Sequence, residues 1–356
     1  MLTKDKIILL ICLIFLFYIE GFAYEKGKIK PLPPVPIPKD NPMTKEKIEL
    51  GKKLFFDRRL SGDGTMSCAS CHNPEKAFTD GSEISLSYPT TRNLRNAPTL
   101  INSAYAKFLF WDGRAKSLEE QAEFPIMSPF EMNQNLDFLE EEIRAVPEYR
   151  EAFKRVFGQD VNIKLITKAI AAFERTLVSK NAPIDRYLRG DKNALSNEAK
   201  KGYQIFKGKG RCIKCHYGAY LSDQKFHALM VPENPKYANE EKFIVTRRYV
   251  AKINKYPDYM NVKEDLGRYF NTKKQKDYKA FKTPTLREIA KTAPYMHNGI
   301  FKSLDEVIEF FNKGGGKGNK VLKPLNLTEE EKRALKTFLI EALSGEDLDI
   351  KPPDIP

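Results

Sequence analysis

The sequence predicts a mainly α-helical protein built from two related units, and three observations carry that prediction. A cysteine-pair motif occurs twice with matching flanks. Apolar residues recur at steps of three and four behind helix-start signals. Strand-like sequence is scarce, and residues 243–250 form the best candidate for a strand.

The chain opens with Lys4 and Lys6, an apolar run over 7–19 and small residues ending at Ala23. A short basic start, a short apolar stretch and a small-residue exit predict a secretory signal at 1–23, cleaved after Ala23. A membrane span takes about 20 apolar residues, so a retained anchor is the competing reading. Cys12 lies inside this run and would leave with it. Residues 24–43 are proline-rich and predict an extended arm. The remainder divides at ordinary domain sizes into 44–190 and 191–356.

The formal net charge is +13, spread along the chain with a modest concentration at 273–282. An exported chain without a nucleic-acid module is not expected to bind nucleic acid. A basic surface that steers an acidic protein partner is the better reading.

The four cysteines beyond the signal form two pairs. Cys68, Cys71 and His72 recur as Cys212, Cys215 and His216. Gly51, Leu54 and Phe55 precede the first motif as Gly202, Ile205 and Phe206 precede the second. Phe78 and Asp80 follow the first as Leu221 and Asp223 follow the second. Each unit therefore reads as helix, motif, loop. A dithiol redox site uses two cysteines but no adjacent histidine, and the usual βαβ context is missing. Zinc takes four ligands and each motif crowds three. A covalently attached c-type haem uses all three residues: two thiols reach two vinyl groups, and the next imidazole reaches the iron. The expected fold is mainly α, with two c-type cytochrome domains that each carry one covalently bound haem.

Helices follow from pattern. Ile163, Ile166, Ile170, Phe173 and Leu177 make one apolar face. Ser303 with Glu306, and Thr328 with Glu331, are capping boxes. Behind the first, Leu304, Val307, Ile308 and Phe311 share a face; behind the second, Leu335, Phe338, Leu339 and Ala342 do. The glycines at 314–318 lack the strand and the lysine context of a phosphate loop.

The stretches LGKKLFFDRRLSGDGTMSCASCHNP, RNAPTLINSAYAKFLFWDGRAKSLEEQA and FKTPTLREIAKTAPYMHNG, with the second motif, together resemble the bacterial di-haem cytochrome c peroxidase and MauG family over about residues 44 to 343. The resemblance implies a peroxidatic N-terminal haem domain at 44–190, with His72 as proximal ligand. It implies an electron-transfer C-terminal haem domain at 191–356, with His216 in the same role. Trp111 falls where the family places an aromatic between the haems, and also reads as an interface packing residue. Gln121 and Glu131 match the pair on the open face of the peroxidatic haem, and Pro125 its pocket wall. A positioned carboxylate can move a proton between the two peroxide oxygens. Asn96, Thr292 and Pro294 match positions that hold a calcium ion through one side-chain oxygen and two carbonyls; water completes such a shell of six to eight oxygens.

Two departures stand out. Many relatives carry a histidine in the loop after the first motif, and here SLSYPTT has none, leaving Tyr88 as the nearest side chain with a donor atom. The position that supplies Met or Tyr to the second haem holds Phe311, which cannot bind iron, so Met230 and Met296 become alternative ligands. His227 and His297 are expected as hydrogen-bonded structure near the second haem.

The expected function is a periplasmic, exported peroxidase that reduces hydrogen peroxide to water with electrons from a small cytochrome c or copper protein. A MauG-like oxidant of a protein or organic substrate is the alternative, and a plain electron carrier the third reading. Monomer and homodimer are both compatible with the sequence.

Overall fold

The computed structural model describes residues 27–356. The expected signal at 1–23 lies outside the described residues. Helices α1 (Lys45–Phe56), α2 (Cys68–Cys71), α3 (Leu118–Met127), α4 (Leu136–Ala145), α5 (Pro147–Phe157) and α6 (Ile163–Glu174) make the first half. In the second, α7 (Pro183–Leu188), α8 (Asn197–Lys207), α9 (Glu241–Ile253), α10 (Tyr269–Thr272), α11 (Leu304–Asn312) and α12 (Glu329–Ala342) follow. The named strands are β1 (Phe226–His227) and β2 (Phe281–Lys282), paired antiparallel.

Short polar side chains start most of the longer helices. Thr44, Ser117, Asn135, Asn162 and Ser196 each accept a backbone N–H of the first turn. Both expected capping boxes form, Ser303 with Glu306 and Thr328 with Glu331. Each cap is worth about 1 kcal/mol.

Two large apolar cores result among the described residues. Leu54, Phe55, Phe78, Ile126, Phe153, Ile166, Ile170 and Phe173 belong to the first, with Leu177 buried just past the end of α6. Ala182, Ile184, Tyr203, Phe206, Leu221, Ile308, Phe338 and Leu339 belong to the second. The repeated glycines explain how each core is closed. A Cβ at Gly51 of α1 would lie 1.8 Å from the Ala169 carbonyl oxygen of α6. One at Gly202 of α8 would lie 1.9 Å from the Ala334 carbonyl oxygen of α12. In both units the helix before the motif rests its bare backbone on a later helix.

Residues 243–250 are not a strand; they lie inside α9. Their β-branched and aromatic content favoured a strand locally, but the four-residue spacing decides. Phe243 packs with Tyr237, Ile84 and Leu94, joined by the half-buried Val250, while Val245, Tyr249 and Ile253 are exposed. This places a second-half helix over a first-half loop. Thr246 Oγ1 donates to Arg92 O at 2.6 Å, and Arg92 pairs with Glu240 at 2.8 Å.

The halves are further stitched by the termini. Ile29 of the arm packs in the second core, and Tyr105 Oη donates to Pro33 O at 2.7 Å. Leu348 and Ile350 pack against the first core. Among the described residues no helix is long and apolar enough to cross a membrane.

Candidate active site

Both cysteine motifs open into one cavity of about 1480 Å³. An ordinary single-ligand pocket measures roughly 300–1,000 Å³, so the space suits two large groups. Cys68, Cys71, His72, Cys212, Cys215 and His216 all line it.

The two histidines are prepared in the same way. His72 Nδ1 lies 3.0 Å from Phe78 O, and His216 Nδ1 lies 3.0 Å from Leu221 O. An imidazole that donates from Nδ1 keeps its lone pair on Nε2. Burial lowers both pKa values, favouring the neutral, ligating form. Phe78 and Leu221 sit at φ 56° and 52°, so each acceptor carbonyl belongs to a left-handed turn. The repeat seen in sequence is thus a repeat of histidine orientation.

The rival readings of the motif fit less well. Burial pushes the Cys68, Cys71 and Cys212 thiols upward, whereas a reactive dithiol needs a lowered pKa. Cys215, Asp223 and His227 gather within 4.8 Å of one another, but they are three ligands, not the four of structural zinc. His227 Nε2 lies 2.8 Å from Asp223, and that hydrogen bond raises its pKa to about 9. The donor set, the Nε2 orientation and the cavity size fit haem in both units.

Above the first motif, α3 presents Gln121, Pro125 and Phe124 to the cavity. The turn that follows returns through the Met132 N–H to Pro125 O (3.0 Å) and brings Glu131 to the same wall. Asn93 Nδ2 approaches Glu131 Oε1 at 3.4 Å, and the Leu94 N–H donates to Asn93 Oδ1, which fixes which way that amide faces. Tyr88 lines a separate, smaller cavity of about 730 Å³ and not the large one. The nearest donor expected from sequence is therefore turned away.

Trp111 joins the halves. Its Nε1 donates to Asn96 O at 2.9 Å, and its carbonyl accepts the Lys282 N–H at 2.7 Å. His297 stacks on Phe281 at 3.6 Å and meets Trp111 edge-on at 6.5 Å. Burial pushes its pKa down to about 4, so this histidine is a neutral packing partner beside Trp111. Asn96, Thr292 and Pro294 line the same cavity. Asn96 Nδ2 donates to Ser82 O at 2.8 Å. Phe311, Met230 and Met296 also line it, with Leu304, Val307 and Ile308 beside Phe311.

Buried ion pairs in and behind the wall were not predicted from sequence. Arg95 bonds Asp112 and Asp265, each at 2.6 Å, in a buried cluster. Burial alone would raise the Asp112 pKa, but the Arg114 and Arg95 guanidiniums hold it well below the usual carboxylate range. Arg287 is buried against Asp185 at 2.9 Å. Asp265 and Asp185 lie far along the chain from Arg95 and Arg287, and only the fold unites them.

A family model described as di-haem cytochrome c peroxidase matches residues 45–193. A cytochrome-c peroxidase of Pseudomonas sp. (strain SCT) is 47% identical over 324 residues, covering 89% of this chain and 85% of the relative. The methylamine utilization protein MauG of Methylorubrum extorquens is 37% identical over 344 residues, covering 95% and 89%. The crystal structure of a MauG-like protein associated with microbial copper homeostasis matches with a TM-score of 0.74 at 31% identity, covering 89% of this chain and 94% of that one. With its paired haem motifs and their shared cavity, the chain belongs to the di-haem cytochrome c peroxidase family and is an oxidoreductase of that class.

Proposed function

We propose that the chain is an exported, periplasmic enzyme that reduces hydrogen peroxide to water with electrons from a small cytochrome c or copper protein. The reaction takes two electrons and two protons per peroxide and releases two waters. The observation that carries this reading is the pairing of Gln121 and Glu131 on the cavity wall that also holds the first motif. The loop at 73–91 adds no histidine, methionine or cysteine.

Each haem, when bound, supplies a redox-active iron held through Nε2 of His72 or His216. Cys68 and Cys71 anchor the peroxidatic group of the N-terminal unit, 44–190. Cys212 and Cys215 anchor the electron-transfer group of the C-terminal unit, 191–356. Glu131 accepts the proton of one peroxide oxygen and returns it to the other, which leaves as water. The Gln121 amide hydrogen-bonds the bound peroxide, and Pro125 keeps that wall apolar. Trp111 lies on the path between the units, held by Asn96 from one side and Lys282 from the other.

By the family resemblance, Asn96, Thr292 and Pro294 would hold a calcium ion. The Asn96 amide N–H is committed to Ser82 O, leaving Oδ1 to face a cation. The Thr292 and Pro294 carbonyls complete the protein's share of a shell finished by water.

The second reading is a MauG-like oxidant of a protein or organic substrate. It is favoured by the loop without histidine and by the 37% identity to a MauG protein. One assay separates the two: peroxide turnover with reduced cytochrome c. Rapid turnover supports the peroxidase. Slow turnover with a long-lived oxidised protein supports the MauG-like enzyme, and inertness refutes both.

A further inference from the structure

Glu174 is the last residue of α6 and is only 3% exposed, yet it lines the haem cavity. Its Oε2 has no hydrogen-bond partner. Ser103 lines the same cavity and its hydroxyl oxygen is likewise unpartnered. The Ser103 turn is fastened to the segment after α6: the Asn102 N–H donates to Leu177 O at 2.8 Å, and the Ser179 N–H donates to Asn102 Oδ1 at 3.1 Å. Two unsatisfied polar groups thus line the same cavity.

The surroundings give Glu174 no counter-charge of its own. Just past the end of α6, Arg175 is committed to Glu119 of α3 at 2.8 Å. From α2, Cys68 is the neighbouring titratable group. From α1, the packed residues are Leu54 and Phe55, the latter 5.2 Å from Phe173. A carboxyl group so placed keeps its proton. Burial, partly offset by Arg175 and reinforced by Glu119, pushes its pKa up to about 8.

We propose that Glu174 is a redox-linked proton site of the first unit. It holds its proton while the neighbouring haem is reduced. It releases that proton to cavity water when the haem loses an electron. The inference rests on the haem reading above. The balance is one electron out and one proton out, with both restored on reduction. The physical reason is charge: an electron lost adds one positive charge beside the carboxyl, and an ionised Glu174 then neutralises it.

The test is a redox titration of each haem at several pH values in the intact protein and in Glu174→Gln. The first haem's potential should fall as pH rises near 8. The slope should approach about 59 mV per pH unit, the one-electron equivalent of a tenfold change, and Gln should abolish it. The second haem should keep its own profile in both proteins. Infrared difference spectra of the native protein supply a second measurement. A protonated-carboxyl band should disappear on oxidation and return on reduction. An unchanged slope in Glu174→Gln, or a carboxyl band indifferent to redox state, overturns the proposal. If those results come from a protein that carries two haems and turns over peroxide, the functional reading survives. A chain without haem overturns both.

Discussion

Glu131 reaches the cavity from a turn that Pro125 and Met132 hold together, and its neighbour Asn93 is itself oriented by a backbone N–H. Replacing Glu131 with Gln keeps the size and removes the proton transfer. Haem content should persist while peroxide turnover falls about 10²-fold or more, in line with general acid–base contributions. Steady-state kinetics beside a haem assay would check this, and unchanged turnover would return Glu131 to an ordinary surface charge. Phe311 makes the complementary case at the second haem. Since it lines the cavity on the apolar face of α11, Phe311→Met should shift that haem toward low-spin His/Met ligation. Native absorption spectra already showing such ligation would place a methionine, Met230 or Met296, on the iron instead. The two motifs were legible in sequence because each is contiguous, and Gln121, Glu131 and Trp111 stood out only through the family resemblance; all of them line the cavity. The burial of Glu174 and the pairing of Arg95 with Asp112 and Asp265 were not legible. A lone Glu or Arg in sequence reads as a solvated charge, and burial is a property of the fold alone.

At the scale of elements, the repeat proved more literal than its sequence signature. Gly51 and Gly202 mark the contacts of α1 with α6 and of α8 with α12. In a solvent-exposed helix, Gly→Ala gains roughly 0.5–1 kcal/mol. Here the added Cβ would meet a backbone carbonyl, and overpacking of this kind costs roughly 1–3 kcal/mol. Gly51→Ala and Gly202→Ala should each therefore destabilise the protein, read as a lower denaturation midpoint with unchanged slope. A gain in either would mean that the helices separate freely. The capping boxes and the α6 face were readable because caps and periodicity are local. Helix α9 was misread because its aromatic and β-branched run suggested a strand. The decisive contacts, Thr246 with Arg92 and Phe243 with Ile84, join residues distant in the chain. Thr246→Val keeps the shape and removes the hydrogen bond that pins Arg92. Proteolysis near residues 84–94 should then accelerate, and an unchanged rate would show that this bond does not hold the loop.

For the molecule as a whole, the first haem is expected to keep one face open to peroxide. Tyr88 faces the smaller cavity, and Glu131 and Gln121 face the large one. A side chain already on the iron would have to leave before peroxide could bind. The protein should accordingly be active as isolated, and the most direct measurement is peroxide turnover by the fully oxidised enzyme, compared with the same enzyme reduced beforehand. Spectra and cyanide binding should be recorded on the same samples. The predicted result is equal turnover in both, with a high-spin component and ready cyanide binding in the oxidised form. A wholly low-spin oxidised protein that refuses cyanide and turns over only after reduction would contradict the account, because some residue would then close the site.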